Sequence, residues 1–457
     1  MRVGFFVVWS SLALAICSAH PAPPRYTIEQ AIQVARAQNP DVAIAQKKVQ
    51  AARGGLVEAR AGYLPSVVSS GIYRKRERQG NSSLRPEDYS ANIRVVEPLY
   101  TGGATSSRVA IARLNFQKAE AQLEAVINRV TMEVRLAFYE LLLNRARIEV
   151  RQESVEVLRQ ELKSQRARLS AGTVGQLNVG RAEVSLANEE PELIQARTDL
   201  GNSYLRLGEL LGASSARDGS EPFAVAGELI YEPRHPDLNS CLEHAQTHRP
   251  EVRAAEADVA IEEEQLRLDR SATRPQVEAF SGYEIYNERD PALGREFNHG
   301  YIIGLNASWA LFDGFATRGK MQATRARREA ATRARQALQL SIASEVRSAF
   351  LDLEQAGQVL ESAMKNVQTA GESLQIAKGN LAAGLGTQLE VLQAASDLTR
   401  TRSTRLSATY LHNAALARLD RACGGEVKSS GGATRSDGGE SQVLSLTRPP
   451  NSLGERR

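Results

Sequence analysis

A chain of 457 residues with a formal charge of +4 and 5% aromatic residues is long enough for two or three ordinary domains, yet too poor in aromatics for several thick globular cores. Alanine, leucine, arginine, glutamate and glutamine dominate, which is the composition of long helices meeting along narrow seams. Basic and acidic residues alternate along the same stretches, so the chain carries solvated helix faces and no nucleic-acid track.

Met1-Arg2 precedes an apolar run over residues 3–16, followed by Cys17-Ser18-Ala19, small residues where a signal peptidase would cut. This pattern predicts export, with a leader over 1–19 and a mature chain from His20. The alternative is lipid attachment at Cys17, but a lipoprotein box has a small residue before the cysteine and Ile16 is not small. The run falls short of the roughly 20 apolar residues of a spanning helix, and no later run approaches that length. Any bilayer crossing by the mature chain must use strands.

From Tyr26 the pattern is helical. Thr27 can cap a helix that ends at Asn39-Pro40, and a helix beginning near Pro236 ends in the same way at Arg249-Pro250. The two prolines lie about 210 residues apart, and the spacing persists along the chain. Asn39-Pro-Asp-Val42 returns as Arg249-Pro-Glu-Val252, Tyr63-Leu-Pro-Ser-Val67 as Thr273-Arg-Pro-Gln-Val277, and Pro98-Leu-Tyr-Thr-Gly-Gly-Ala104 as Ala310-Leu-Phe-Asp-Gly-Phe-Ala316. A duplication explains this, with one repeat over 20–227 and a second over 228–424. Residues 425–457, rich in Gly, Ser and Pro without apolar period, read as a disordered tail.

Each repeat then changes from helical to alternating period. Tyr301, Ile303, Leu305, Ala307 and Trp309 point one way, and Gly304, Asn306 and Ser308 the other. Strands are predicted over 66–75, 91–98, 276–286 and 300–309, with long surface loops over 77–90 and 287–298. The run through Tyr301 fits the roughly 9–11 residues of a tilted membrane strand, with aromatics at both ends. Soluble hairpins with one wet face are the competing reading. Four strands cannot close a barrel, and an open edge is forbidden in lipid, so membrane strands would demand several chains per barrel.

Residues 104–170 and 316–383 contain no proline, and each span would run on the order of 100 Å at 1.5 Å per residue. Val346, Phe350, Leu353, Leu360, Met364, Val367, Leu374 and Leu381 follow an alternating four-and-three spacing, as do Val134, Phe138, Leu141, Ile148, Gln152, Val155, Leu162 and Leu169. That period keeps an apolar stripe on a supercoiled neighbour. Gly172 with Gly175, and Gly384 with Gly386, close each long helix and reverse the chain. The returning helices, to about Gly212 and Gly424, are too short alone. Helices over 41–61 and 251–270 would supply the missing length by stacking end to end. The fold class is mainly α with a small β part, built of long antiparallel coiled-coil hairpins.

These residues resemble the TolC-type outer-membrane channel family, the exit ducts of efflux pumps and type I secretion systems. The resemblance runs from Tyr26 to Gly424 and rests on the doubled set of junctions and glycine turns. It implies a homotrimer, each chain giving four strands to a twelve-stranded barrel in the outer membrane and its helices to a periplasmic α-barrel. It implies that Gly172, Thr173, Val174 and Gly175, with Gly384, Leu385, Gly386 and Thr387, meet a periplasmic adaptor that links the duct to a proton-driven or ATP-driven inner-membrane pump. Glu390 matches a pore-facing acid at the constriction; Gln393 stands where the next acid would be, and Asn178 is the first-repeat equivalent of Glu390. Three copies of Glu390 would favour cations. A coiled-coil envelope spacer without a lumen is the alternative function.

Other chemistry is thin. His244-Ala-Gln-Thr-His248 has zinc-helix spacing but lacks the glutamate after the first histidine and a nearby third ligand. Cys241 and Cys423 lie at corresponding helix ends, where packed thiols or a bridge are both open. Neither a phosphate loop nor a nucleophile elbow occurs, so no catalysis, cofactor or metal is predicted.

Overall fold

The computed structural model describes residues 25–75, 87–213, 223–287, 292 and 297–425. The leader at 1–19, Cys17 and its lipidation, most of the two predicted strand-connecting loops and the tail beyond residue 425 lie outside the described residues. The elements are β1 (Arg25–Tyr26), α1 (Ile28–Gln38), α2 (Pro40–Ala61), β2 (Ser66–Lys75), β3 (Glu87–Tyr100), α3 (Ala104–Ser170) and α4 (Gln176–Leu211) in the first repeat. β4 (Ala224–Val225) closes the first repeat, and the other elements recur as α5 (Leu238–His248), α6 (Pro250–Ser271), β5 (Gln276–Asn287), β6 (Phe297–Ser308), α7 (Ala316–Ala382) and α8 (Gln388–Cys423).

Local chemistry sets the helix starts. Thr27 caps α1 in a capping box with Gln30. Asn39 Oδ1 accepts from the amides of Asp41 and Val42, and Pro40 fills the first helical position, where its missing amide costs nothing. Both long helices run 67 residues, about 100 Å, as their lack of breakers predicts.

The predicted end-to-end stacking is present in both repeats. Asn39 Nδ2 donates to the Leu210 carbonyl at 2.9 Å, so the end of α4 abuts the start of α2. Gly212 closes α4 with φ 70°, and a Cβ there would lie 2.5 Å from the Gln38 carbonyl oxygen. In the second repeat Arg249 takes the place of Asn39: its guanidinium donates to the Ala422 carbonyl and its stem packs under Gly424. Four struts result, in the order α2/α4, α3, α6/α8, α7.

The heptad stripes are buried at mid-height, at Val134, Phe138 and Leu141 and at Val346, Leu353 and Leu360. Toward the glycine turns the second stripe opens, while the first stays buried at Val155 and Leu162. Gln152 and Met364, equivalent in the two stripes, are both exposed. Val367 and Leu374 line a cavity of about 670 Å³ between the two hairpins, together with Val157, Leu158 and Leu392. In that stretch the large apolar residues of the stripe come only every seventh position, with Gly371, Gln375 and Lys378 lining the space between and Ile376 turned outward at 63% exposure, so the stripe is too narrow to fill the space.

The sheet order is β2-β3-β5-β6, antiparallel throughout. β3 is longer than predicted and takes in residues that had been assigned to a loop. Their ladder holds because Arg74 and Lys75 sit opposite Asp88 and Glu87, and the Tyr73 and Tyr89 rings pack at a tilt with centroids 5.0 Å apart. β6 likewise starts three residues earlier, at Phe297, and stops at Ser308. Trp309 leaves the ladder to donate from Nε1 to the Thr273 carbonyl. A two-stranded parallel pair, β1 with β4, had no sequence signal.

One face of the sheet carries Ile93, Val95, Tyr283, Tyr301, Ile303 and Leu305, and no helix covers it: Tyr301 is 92% and Ile303 84% exposed. The opposite face is polar and less exposed, which is the reverse of a soluble hairpin. There Arg94 pairs with Glu284 at 3.3 Å and lies over the Phe280 ring, and Asn306 bonds Glu278. Phe280 fits because its neighbour is Gly304, where a Cβ would meet the ring at 2.6 Å.

Candidate functional site

Two regions of the helical body could act: the pair of turns at the far end from the sheet, and the seam where the two hairpins meet. The first turn closes with Gly172 at φ 71°, the Thr173 amide reaching back to the Arg168 carbonyl at 2.9 Å and Thr173 Oγ1 donating to the same oxygen. Val174 is half-buried, and Gly175 starts α4 without a side-chain cap. The second turn uses Gly384 at φ 75°, with the amides of Leu385 and Gly386 both reaching the Asn380 carbonyl. Leu385 is 83% exposed, and Leu177 and Leu389 beside the turns are exposed as well.

Glu390 is not simply solvated. Thr387 caps α8, and Glu390 completes a capping box: its amide donates to Thr387 Oγ1 and its carboxylate accepts from the Thr387 amide at 3.3 Å. The motif is legible in the sequence as Thr387-x-x-Glu390. Glu390 and Gln393 line one groove of about 680 Å³ between α7 and α8, and Gln393 donates to Asp397. Asn178 is half-buried at the start of α4 and makes no cap. One repeat thus holds a capped, acidic turn and the other an uncapped, neutral one.

The seam between hairpins is where α3 meets α8, and its rungs are polar. From mid-height downward they are Arg135 to Asp420 at 2.9 Å, Arg147 to Ser407 at 2.9 Å, Arg402 to Glu153 at 2.8 Å, Thr399 to Ser154 at 3.3 Å, and Gln388 to Glu161. Inter-hairpin ion pairs are therefore present within one chain. Their partners lie some 230 to 290 residues apart, so nothing in the sequence alone could pair them. Asp420, nearly buried, also accepts from Arg234 in the segment that precedes α5. Each hairpin has apolar contacts as well, Leu162 with Val179 and Ala182, and Leu360 with Ala363 and Ala408, and the first adds the ion pairs Arg151–Glu189, Arg159–Glu190 and Arg166–Glu183 between α3 and α4.

His244 and His248 stack at 4.3 Å, and His244 Nδ1 is bonded to the Cys423 carbonyl, which takes one of its two ring nitrogens. No group of three metal-ligating side chains occurs among the described residues. No helix among them is long and apolar enough to cross a membrane.

Comparison with known proteins agrees with this architecture. The sequence model of the outer membrane efflux protein matches residues 31–213 and 241–425, one match per repeat. Protein CyaE of Bordetella pertussis is 25% identical over 405 residues, covering 88% of this chain and 84% of that protein. The nickel-cobalt-cadmium resistance protein NccC of Alcaligenes xylosoxydans is 24% identical over 66% of this chain and 64% of its own length. In fold, the outer membrane protein VceC of Vibrio cholerae superposes with a TM-score of 0.73 at 19% identity, over 87% of this chain and 96% of that one.

Proposed function

Because the chain belongs to the outer membrane efflux protein family, we propose that three copies assemble into one duct whose wall no single copy can complete. The protein resides in the outer membrane with a large periplasmic portion and serves as an exit duct for efflux or secretion. The four strands of each chain contribute to a shared twelve-stranded barrel, the uncovered face of Tyr301, Ile303 and Leu305 meets lipid, and the Arg94–Glu284 face lines the water-filled interior. The observation that carries this reading is that apolar face, exposed on a sheet whose edges β2 and β6 have no strand partner among the described residues.

The helical struts support the same assembly. The outermost struts, α2/α4 and α7, leave Val57, Val184, Ile194, Leu340 and Leu351 exposed, and each would cover the other on an adjacent copy. At the turns, Leu385, Leu177 and Leu389 offer apolar contacts to a periplasmic adaptor, joined in turn to an inner-membrane pump. Glu390, repeated three times around the axis, places a ring of charge at the narrow end, which favours cations. Opening shifts the hairpins along the α3–α8 seam, because its polar rungs can exchange partners with water while the Leu162–Val179 and Leu360–Ala408 packing inside the hairpins stays closed. The alternative, an envelope spacer without a lumen, is tested by the same experiment: reconstitution in a planar bilayer. Discrete cation-preferring conductance supports the duct, and an electrically silent, membrane-inserted protein refutes it.

A further inference from the structure

We propose that Cys241 and Cys423 form a disulfide in the mature protein, fastening the first turn of α5 to the last turn of α8. Both are 1% exposed and belong to one apolar cluster. They line the same narrow cavity with Leu416 and Leu419. Both are free thiols in this structure, and the His244 ring, three residues on from Cys241, bonds the Cys423 carbonyl at 2.8 Å, which ties the start of α5 to the end of α8.

The duplication supplies an independent comparison. The two cysteines do not occupy corresponding positions of the two repeats, as the sequence suggests, but sit together in the second: Cys241 is the fourth residue of α5 and corresponds to Ala31, the fourth of α1, and Cys423 is the last residue of α8 before its glycine and corresponds to Leu211 in α4. Ala31 and Leu211 are buried in one cluster of the first repeat, so both members of a matched pair are cysteine in one repeat and neither is in the other. The two repeats also differ in what else holds this corner. In the first, β1 pairs with β4, and Phe223 packs on Tyr26 and Tyr204. Among the described residues no strand pair clamps α5 in this way. The second corner also buries the charged Arg249 where the first has neutral Asn39. A covalent staple takes over the role of the missing clamp.

The outer-membrane setting supplies the chemistry. Closure removes two electrons and two protons from the thiols. One thiolate attacks a disulfide-bearing oxidant of the envelope, the other cysteine resolves the mixed disulfide, and the oxidant leaves as a dithiol. Burial pushes both thiols up in the folded chain, so exchange takes place before α5 docks on α8, and the finished bond is then shielded from reductant.

The test is peptide mapping of protein extracted from the outer-membrane fraction without reductant and alkylated in denaturant. The expected result is a tryptic peptide containing Cys241 linked to the one containing Cys423, separated by reduction, with neither cysteine alkylated beforehand. In Cys423→Ser material, Cys241 becomes alkylatable. Full alkylation of Cys241 and Cys423 in the unreduced wild type, or a link that joins two chains on a non-reducing gel, overturns the proposal.

Discussion

Replacing Arg249 with methionine keeps most of the side chain's volume and removes its charge, and the structure sets the expected cost. The guanidinium is 4% exposed and serves three acceptors: Glu251 at 3.0 Å, Glu345 at 2.6 Å and the Ala422 carbonyl at 3.4 Å. Breaking a buried pair by removing one partner costs about 3–5 kcal/mol. Because both carboxylates are about a third exposed and can rehydrate, the lower end applies, about 3 kcal/mol. The equivalent Asn39→Ala removes a helix cap and one bond to Leu210, about 2 kcal/mol together. Amide hydrogen exchange over 241–252 and 419–424 reads the joint directly. At 1.4 kcal/mol per tenfold, Arg249→Met should speed exchange there by roughly 100-fold, and Asn39→Ala by about 30-fold over 38–42 and 207–212. The joint is also acid-sensitive. Burial raises the Glu251 pKa, but the hydrogen bonds and charge of Arg249 outweigh burial and leave it below its ordinary value. A depressed carboxylate contributes stability that is complete above its unfolded pKa and is lost as the pH falls through the folded one. Exchange at the joint should therefore quicken only in acid, below the usual carboxylate range, and the methionine variant should lose that dependence. Protection within threefold of wild type in Arg249→Met would refute the claim that this guanidinium holds α8 on α6.

The sheet faces are tested by neighbouring residues: Ile303→Arg puts a charge on the uncovered face at a cost of about 2–4 kcal/mol and should abolish outer-membrane assembly in fractionation, whereas Ile302→Arg, on the polar face, should assemble. Gln also completes a capping box, so Glu390→Gln should fold and assemble normally and shift the reversal potential of bilayer conductance toward non-selective. Burial holds the His412 pKa below its ordinary 6.5, and its ring sits edge-on to Tyr231 at 4.7 Å. The contact should weaken as the pH falls from that value through the depressed folded one, seen as faster exchange at 230–232, and His412→Gln should be flat across the same range.

Periodicity and breakers made most of the frame legible. The proline-free runs, the doubled Asn39-Pro40 and Arg249-Pro250 junctions and the glycine turns fix the helices and their duplication, because each is a local property of the backbone. What escaped were features that depend on residues far apart. The extra length of β3 rests on cross-strand charge pairs, the open stretch around Val367 on how four helices fail to fill a volume, and the α3–α8 rungs on partners in different repeats. Arg249 read as a plain helix boundary, although it is among the most buried charges described. The capping role of Glu390 is local and legible in Thr387-Gln-Leu-Glu390, whereas its resemblance to a pore acid concerns only its charge.

The central claim, that one copy cannot finish its own wall, is tested most directly by native mass spectrometry of protein extracted from the outer membrane in mild detergent. The account predicts a mass of three chains. A single-chain mass from material that still inserts into bilayers would contradict it.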